Sequence, residues 1–181
     1  MADLSTLTPG TWNIDTAHST VGFTVRHLMI SKVRGRFTAF TGTVEIAADP
    51  LQSSVTADIE IDSITTGDAG RDGHLKTADF FEVEKYPTMT FRSTAIAAKG
   101  SDYVLTGDLT LHGVTKSVSF DLEFEGVGGD PWGGTRAGFS GTTEISRDDF
   151  GVNFNAALET GGVMIGDKVK VELEIEAVKA A

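Results

Sequence analysis

The stretch Val169-Lys170-Val171-Glu172-Leu173-Glu174-Ile175-Glu176 decides the fold. Every odd position is a branched aliphatic and every even position is charged. Side chains alternate across a strand with period two, so this is a β-strand with one dry face and one wet face. A helix with a spacing of 3.6 residues would scatter the four aliphatics around its circumference. The same alternation extends outward through the chain. Val118, Phe120, Leu122 and Phe124 stand against Ser117, Ser119, Asp121, Glu123 and Glu125. Val55, Ala57, Ile59 and Ile61 alternate with Thr56, Asp58, Glu60 and Asp62. Val21, Phe23 and Val25 share a face, as do Met89 and Phe91, and as do Tyr103, Leu105, Leu109 and Leu111. Strands wet on one side pair antiparallel. Eight to ten of them are expected, joined mostly by short turns, and that number without a composition break indicates a closed or nearly closed barrel. Leu111-His112-Gly113-Val114 reads as a tight hairpin, Ala48-Asp49-Pro50-Leu51 as a turn, and Gly126 to Gly134 as a longer loop.

One segment breaks the pattern. Gly67-Asp68-Ala69-Gly70-Arg71-Asp72-Gly73 leads into His74-Leu75-Lys76-Thr77-Ala78-Asp79-Phe80-Phe81-Glu82-Val83-Glu84-Lys85-Tyr86-Pro87. Asp68 or Asp72 is placed to cap a short helix. Tyr86 precedes proline and is pushed out of the helical region, so the helix ends by there. A helical insert over residues 68–85, rich in phenylalanine and set among strands, suggests a lid or plug on the barrel. A second irregular stretch, Asp148 to Asn155 followed by Glu159 to Gly166, is a candidate to line the barrel mouth.

Composition bounds the function. The 181 residues fit one domain, and 40% hydrophobic residues with 11 Phe supply a core without staples. With no Cys there are no disulfides, thiolate metal sites or cysteine nucleophiles. The net charge of -11 repels nucleic acid and anionic headgroups. No apolar run reaches the roughly 20 residues of a membrane span, so stable membrane insertion is not expected. Met1 to Gly10 shows neither the basic nor the apolar region of a secretory leader, and a cytoplasmic location is the expectation.

Several motifs follow one another in a recognisable order: Trp12-x-Ile14-Asp15-x-x-His18-Ser19, Arg34-Gly35-x-Phe37-x-x-Phe40-x-Gly42, His74-Leu75, Asp79-Phe80-Phe81, Tyr86-Pro87-x-x-x-Phe91, Leu105-x-Gly107-x-Leu109-Thr110-x-His112-Gly113-Val114-Thr115, Arg147-x-Asp149-Phe150-Gly151 and Asp167-x-Val169. Taken together they resemble the YceI-like family of polyisoprenoid-binding proteins, from about Gly10 to Ala177. The resemblance implies an extended lipocalin-like antiparallel β-barrel over residues 10–181, preceded by an N-terminal tail over 1–9. It also implies a long hydrophobic tunnel, an isoprenoid or other long-chain amphiphilic ligand, and often a homodimer.

Two chemistries are readable in the candidate site. Phe23, Phe37, Phe80, Phe81, Phe91, Phe120, Phe139 and Phe154, with Leu75, either fill a core or line a lumen. Phe80 and Phe81 are the foremost ligand contacts, because a plug faces the lumen. His18, His74 and Arg71 are candidates to meet a polar head at the mouth. Arg26, Arg34 and Arg147 offer the same planar fork to a pyrophosphate or carboxylate, although Asp148 and Asp149 beside Arg147 favour a salt bridge there. The four histidines form neither HxH nor HExxH, so no metal or other cofactor is expected. No nucleophile elbow, paired acid and base or dinucleotide fingerprint is present. The chain therefore reads as a carrier and not an enzyme. Two other readings use the same residues: an enzyme acting on such a lipid with His18 or His74 as base, and a stress-linked interaction protein whose interior is filled by its own side chains.

Overall fold

The computed structural model describes residues 3–158 and 162–181. Its eleven strands are β1 (Gly10–Ile14), β2 (Thr20–His27), β3 (Ser31–Phe37), β4 (Phe40–Ile46), β5 (Ser54–Glu60), β6 (Ile64–Thr65), β7 (Thr88–Lys99), β8 (Asp102–Leu111), β9 (Val114–Gly129), β10 (Thr135–Ser146) and β11 (Ile165–Lys179). All pairings are antiparallel, and β1 closes the ring on β11. The expected eight to ten strands are eight staves, of which three are broken in the middle. β1 and β2 run in line along β11, the first against Ala177–Lys179 and the second against Ile165–Glu174. β4 and β3 follow them, and β5 and β6 follow in turn.

The breaks have local causes. Asp15 caps a single 3-10 turn, Thr16–His18, by accepting the Ala17 N–H at 3.0 Å. Ser19 Oγ then bridges the gap by accepting from the Glu176 N–H at 3.0 Å and donating to the Glu176 carbonyl at 3.3 Å. A barrel of eight strands has an interior just wide enough for side chains or one ligand.

The insert differs from the expectation in extent. Its helix, α1 (Ala69–Leu75), has seven residues and is capped by Asp68, whose carboxylate accepts from the Arg71 N–H at 2.9 Å. Asp72 does not cap it; its carboxylate accepts from the Thr66 N–H instead, at 2.9 Å. Beyond Leu75 the chain coils on itself. Thr77 Oγ1 donates to the His74 carbonyl, and the Thr77 carbonyl takes the N–H groups of Phe80 and Glu82. Phe80 and Phe81 thus sit on turns, since a threonine that hydrogen-bonds back to the backbone competes with helix continuation.

At the turns, His112 and Gly113 both have positive φ, 55° and 74°. That is the primed hairpin geometry expected between β8 and β9, and glycine adopts it without strain. The Gly126–Gly134 loop is shorter than expected. β9 continues through Gly129, which pairs with Thr135, and only the Asp130–Gly134 turn remains. Asp130 organises that turn, accepting from the Trp132 and Gly134 N–H groups.

One end of the barrel is closed. Leu4 and Leu7, in the segment expected to be a tail, are buried with Trp12, Val44, Ile46, Phe124, Ala137 and Ala177. Trp12 Nε1 donates to the Thr8 carbonyl at 3.0 Å, and the Tyr103 hydroxyl accepts from the Leu4 N–H at 3.2 Å. The other end carries the β2–β3 hairpin, α1 and residues 152–158 and 162–165. Among the described residues no helix is long and apolar enough to cross a membrane.

Candidate ligand cavity

The lumen contains a cavity of about 570 Å³. It runs from Leu4, Val44 and Ile46 at the closed end to Arg26, Arg71 and Met164 at the open end. Its walls are the inward faces of the staves, as the alternation requires. On β11 they are Val169, Val171, Leu173 and Ile175; on β10, Phe139, Gly141, Thr143 and Ile145. From Phe139 to Ile145 the wall extends about 20 Å at the rise of a strand. All eight predicted phenylalanines lie on this wall, together with Leu75, His74 and Arg71.

The phenylalanines leave the lumen open because of how they are seated. Phe23 pairs directly with Gly35 across β2 and β3, and its ring lies over that glycine so closely that a Cβ there would run into it. Phe91 lies over Gly107 in the same way, and Ile14 over Gly42. A ring laid flat on its neighbouring strand lines the wall without crossing the space. Gly141 faces the lumen with only ordinary contacts from Leu173 and Phe120. The reading of a core filled by its own side chains does not describe this interior.

At the mouth, Phe80 is packed against His74 and Phe154, with ring centroids 5.0 and 5.2 Å away. Phe81 meets Phe37 edge-on at 6.2 Å. Such aromatic pairs stabilise by about 0.5–1.5 kcal/mol beyond burial. His74 Nε2 lies 2.8 Å from Asp79 Oδ2, which fixes the imidazole at the rim.

Three arginines line the cavity near the mouth: Arg26, Arg71 and Arg147. Arg71 turns its guanidinium to Thr66, donating from Nε to Oγ1 at 2.8 Å and from a terminal nitrogen to the carbonyl at 2.9 Å. Arg147 does not form the expected salt bridge with Asp148 or Asp149. Its guanidinium is half-buried and donates to the carbonyls of Gly166, Val152 and Phe154, tying Val152 and Phe154 to β11. Burial lowers its pKa, while Asp167 and Asp148 oppose that shift from a distance. Among the described residues none of the three guanidinium groups forms an ion pair with a carboxylate. Arginine uncompensated beside an apolar cavity is suited to an anionic group.

His18 is misplaced by the sequence reading. It lies on the outer surface, exposed, with Nδ1 2.8 Å from Asp15 Oδ2. The capping turn that breaks the first stave swings it outward and away from the lumen. Asp15 also accepts from Arg136 at 2.7 Å, and Arg136 reaches Asp130 and Glu176 too. Those hydrogen bonds, Arg136 first and His18 next, hold the Asp15 carboxyl down at about 2. His112, expected to bond locally in its turn, is held by the Phe150 carbonyl at 3.0 Å. Arg34 is exposed on β3 and does not line the cavity. Of the irregular segment expected at the mouth, Val152, Phe154, Met164 and Ile165 do line it, while Glu159, Thr160 and Gly161 lie outside the described residues.

The sequence reading missed Gly141, Thr143 and Ile145 as wall residues. The β10 alternation Phe139, Gly141, Thr143, Ile145 carried the signal, weakened by a glycine and a threonine at inward positions. Among the described residues no group of three or more His, Asp or Glu is gathered as for a metal.

A closed antiparallel barrel around an apolar lumen is the fold that the motif order implied. The YceI-like domain model matches residues 12–177. The chain belongs to the YceI-like family. A UPF0312 protein of Vibrio cholerae is 42% identical over 172 residues, covering 92% of this chain and 86% of that protein. One from Staphylococcus aureus is 41% identical over 167 residues, covering 91% and 95%. Among solved structures, the Campylobacter jejuni YCEI protein superposes with a TM-score of 0.73 at 32% identity, covering 92% of this chain and 96% of that one. Burkholderia cenocepacia BcnA gives 0.75 at 25% identity, covering 90% and 98%. A polyisoprenoid binding domain from Saccharophagus degradans shares the fold, with a TM-score of 0.71 at 18% identity, covering 96% and 100%.

Proposed function

We propose that this YceI-like protein binds a single long-chain amphiphile, of isoprenoid or related type, and does so without transforming it. The observation that carries this reading is the apolar cavity of about 570 Å³, open at one end beside three arginines whose guanidinium groups form no ion pair among the described residues. The tail lies along the aromatic wall toward Leu4, and an anionic head stays at the mouth near Arg71 and His74. The fold neighbour from Saccharophagus degradans is a polyisoprenoid binding domain, which accords with such a fit. Binding without catalysis is favoured because the polar groups at the mouth are engaged in positioning. His74 is held by Asp79, Arg71 by Thr66, and Arg147 by backbone carbonyls.

Burial contributes up to about 0.8 kcal/mol per methylene, so affinity should climb with tail length until the cavity is full. Displacement of an apolar fluorophore by a graded series of prenyl and alkyl amphiphiles tests this. A steady rise followed by a plateau is expected; indifference to length sinks the proposal. Phe81→Asp places a charge on the wall and should abolish uptake with the barrel intact by circular dichroism. Normal binding by that variant removes Phe81 from the site.

A further inference from the structure

The formal charge of -11 conceals a strong local asymmetry. From Thr16 to Val44 the chain contains no Asp or Glu, yet this stretch holds Arg26, Lys32, Arg34 and Arg36. With those four cations set aside, the rest of the chain carries a formal -15 against -11 for the whole. All four are exposed, on β2 and β3. Among the described residues none of them forms an ion pair. Arg26 and Lys32 stand directly opposite each other across the hairpin, an arrangement that like charges disfavour. An external anion would relieve it.

The hairpin ends in an apolar tip. Leu28, Met29 and Ile30 are 39%, 49% and 83% exposed, and Val163 beside them is 38% exposed. Leu28 and Met29 hold left-handed backbone at φ of 56° and 64°, a conformation such side chains rarely adopt. The tip is tied back by the Leu28 N–H donating to the Met164 carbonyl at 2.7 Å. Four of the seven large hydrophobic residues exposed among the described residues thus gather at one end of the barrel. That end is the cavity mouth, lined by Arg26, His27 and Met164.

We infer that the β2–β3 hairpin docks this protein on the surface of an anionic lipid bilayer, with Leu28, Met29 and Ile30 entering the headgroup boundary and the four cations resting on the phosphates. Short apolar wedges ringed by Lys and Arg are suited to that interface. The acidic remainder of the barrel is repelled, so the molecule stands with its mouth facing the bilayer, in position to take up or release a lipid. A second copy of the chain is a poorer occupant, because pairing two such hairpins brings eight cations together. The whole-chain charge pointed away from anionic lipid only because it averages this hairpin with the rest.

Flotation of the full chain with vesicles of phosphatidylcholine alone, or mixed with phosphatidylglycerol, tests the inference. Binding to the mixed vesicles, its absence on neutral ones and its loss in high salt are expected. Each of Lys32→Gln and Arg34→Gln should lower partitioning about fivefold. Ile30→Ser should weaken it too, with the melting temperature and fluorophore uptake unchanged. Equal binding to both vesicle types, no binding at all, or insensitivity to these substitutions overturns the proposal. So does a concentration-dependent dimer in sedimentation that Ile30→Ser abolishes, which assigns the tip to a second copy. Fluorophore uptake reports on the cavity independently, so failure of docking and failure of lipid binding are separable.

Discussion

Gly141 offers the sharpest probe of how deep a tail lies in the barrel. It stands midway along β10, paired with Leu173 on one side and Leu122 on the other, and faces the lumen. A Cβ there would meet Leu173 at 3.5 Å and Phe120 at 3.7 Å, which is ordinary contact, so a side chain starts without a clash. In Gly141→Leu the three carbons beyond Cβ extend into the cavity and occupy the space of about three methylenes of a bound tail. At about 0.8 kcal/mol per methylene the loss is about 2.4 kcal/mol, or about 60-fold in affinity. The loss applies only to ligands long enough to pass Gly141. Shorter ones, ending nearer the mouth, should bind as before. The graded amphiphile series, run on both proteins by fluorophore displacement, gives two curves that coincide at short lengths and part at a definite length. The barrel itself should be no less stable, because glycine weakens a strand and the new side chain fills empty volume. Coincidence of the curves at all lengths would mean the tail never reaches the middle of β10. Parallel weakening of every ligand, the shortest included, would mean the substitution acts on the mouth or the fold, and the reasoning from depth fails.

Two further outcomes test the frame around the cavity. Trp12→Ala removes a side chain only 1% exposed from the floor, with its hydrogen bond to Thr8. It should cost about 3–5 kcal/mol in urea unfolding; a loss under about 1 kcal/mol would deny the floor its structural role. The Asp15 carboxyl is held at about 2 against an ordinary 3.8, so its contribution to stability is complete above that ordinary value and lost as pH falls toward 2. The urea midpoint should therefore decline between those pH values, and Asp15→Asn should flatten the decline. An unchanged pH profile in the variant would place the acid sensitivity elsewhere.

The strands were legible because alternation is a local property: Val169 to Glu176 and Val118 to Glu125 carry their partnership with water in their own order. The breaks in the first three staves were not. His18 read as a candidate at the mouth, and only the capping turn at Asp15 shows that it is thrown outward. The helix was overextended for a related reason. Thr77 looks neutral in a helical pattern, while its hydroxyl in fact bonds the His74 carbonyl and ends the turn. The cavity wall was half legible. Inward phenylalanines were countable, but whether they filled or lined the interior depended on register. Phe23 lies over Gly35 because β2 and β3 are paired as they are, and residues twelve apart do not announce that in sequence. Arg147 shows the opposite failure: two adjacent aspartates suggested a salt bridge, while the fold aimed the guanidinium at the backbone carbonyls of Val152, Phe154 and Gly166.

The hollow itself is the strongest sign that this interior is built for an occupant. An apolar cavity of about 570 Å³ leaves its lining without the packing contacts that stabilise an ordinary core. Gly35, Gly42, Gly107 and Gly141 all occupy inward positions of their strands, and of these only Gly141 could take a larger side chain without a clash. The other three act as seats on which Phe23, Ile14 and Phe91 lie flat against the wall. A core under pressure only to be stable has no use for that arrangement, because each ring lying on a glycine leaves its volume missing from the centre. On the proposed reading, a bound tail would restore the missing contacts along the lumen. The open interior is encoded by the glycines as much as by the phenylalanines, and it is the seating of one on the other across neighbouring strands that keeps the lumen open.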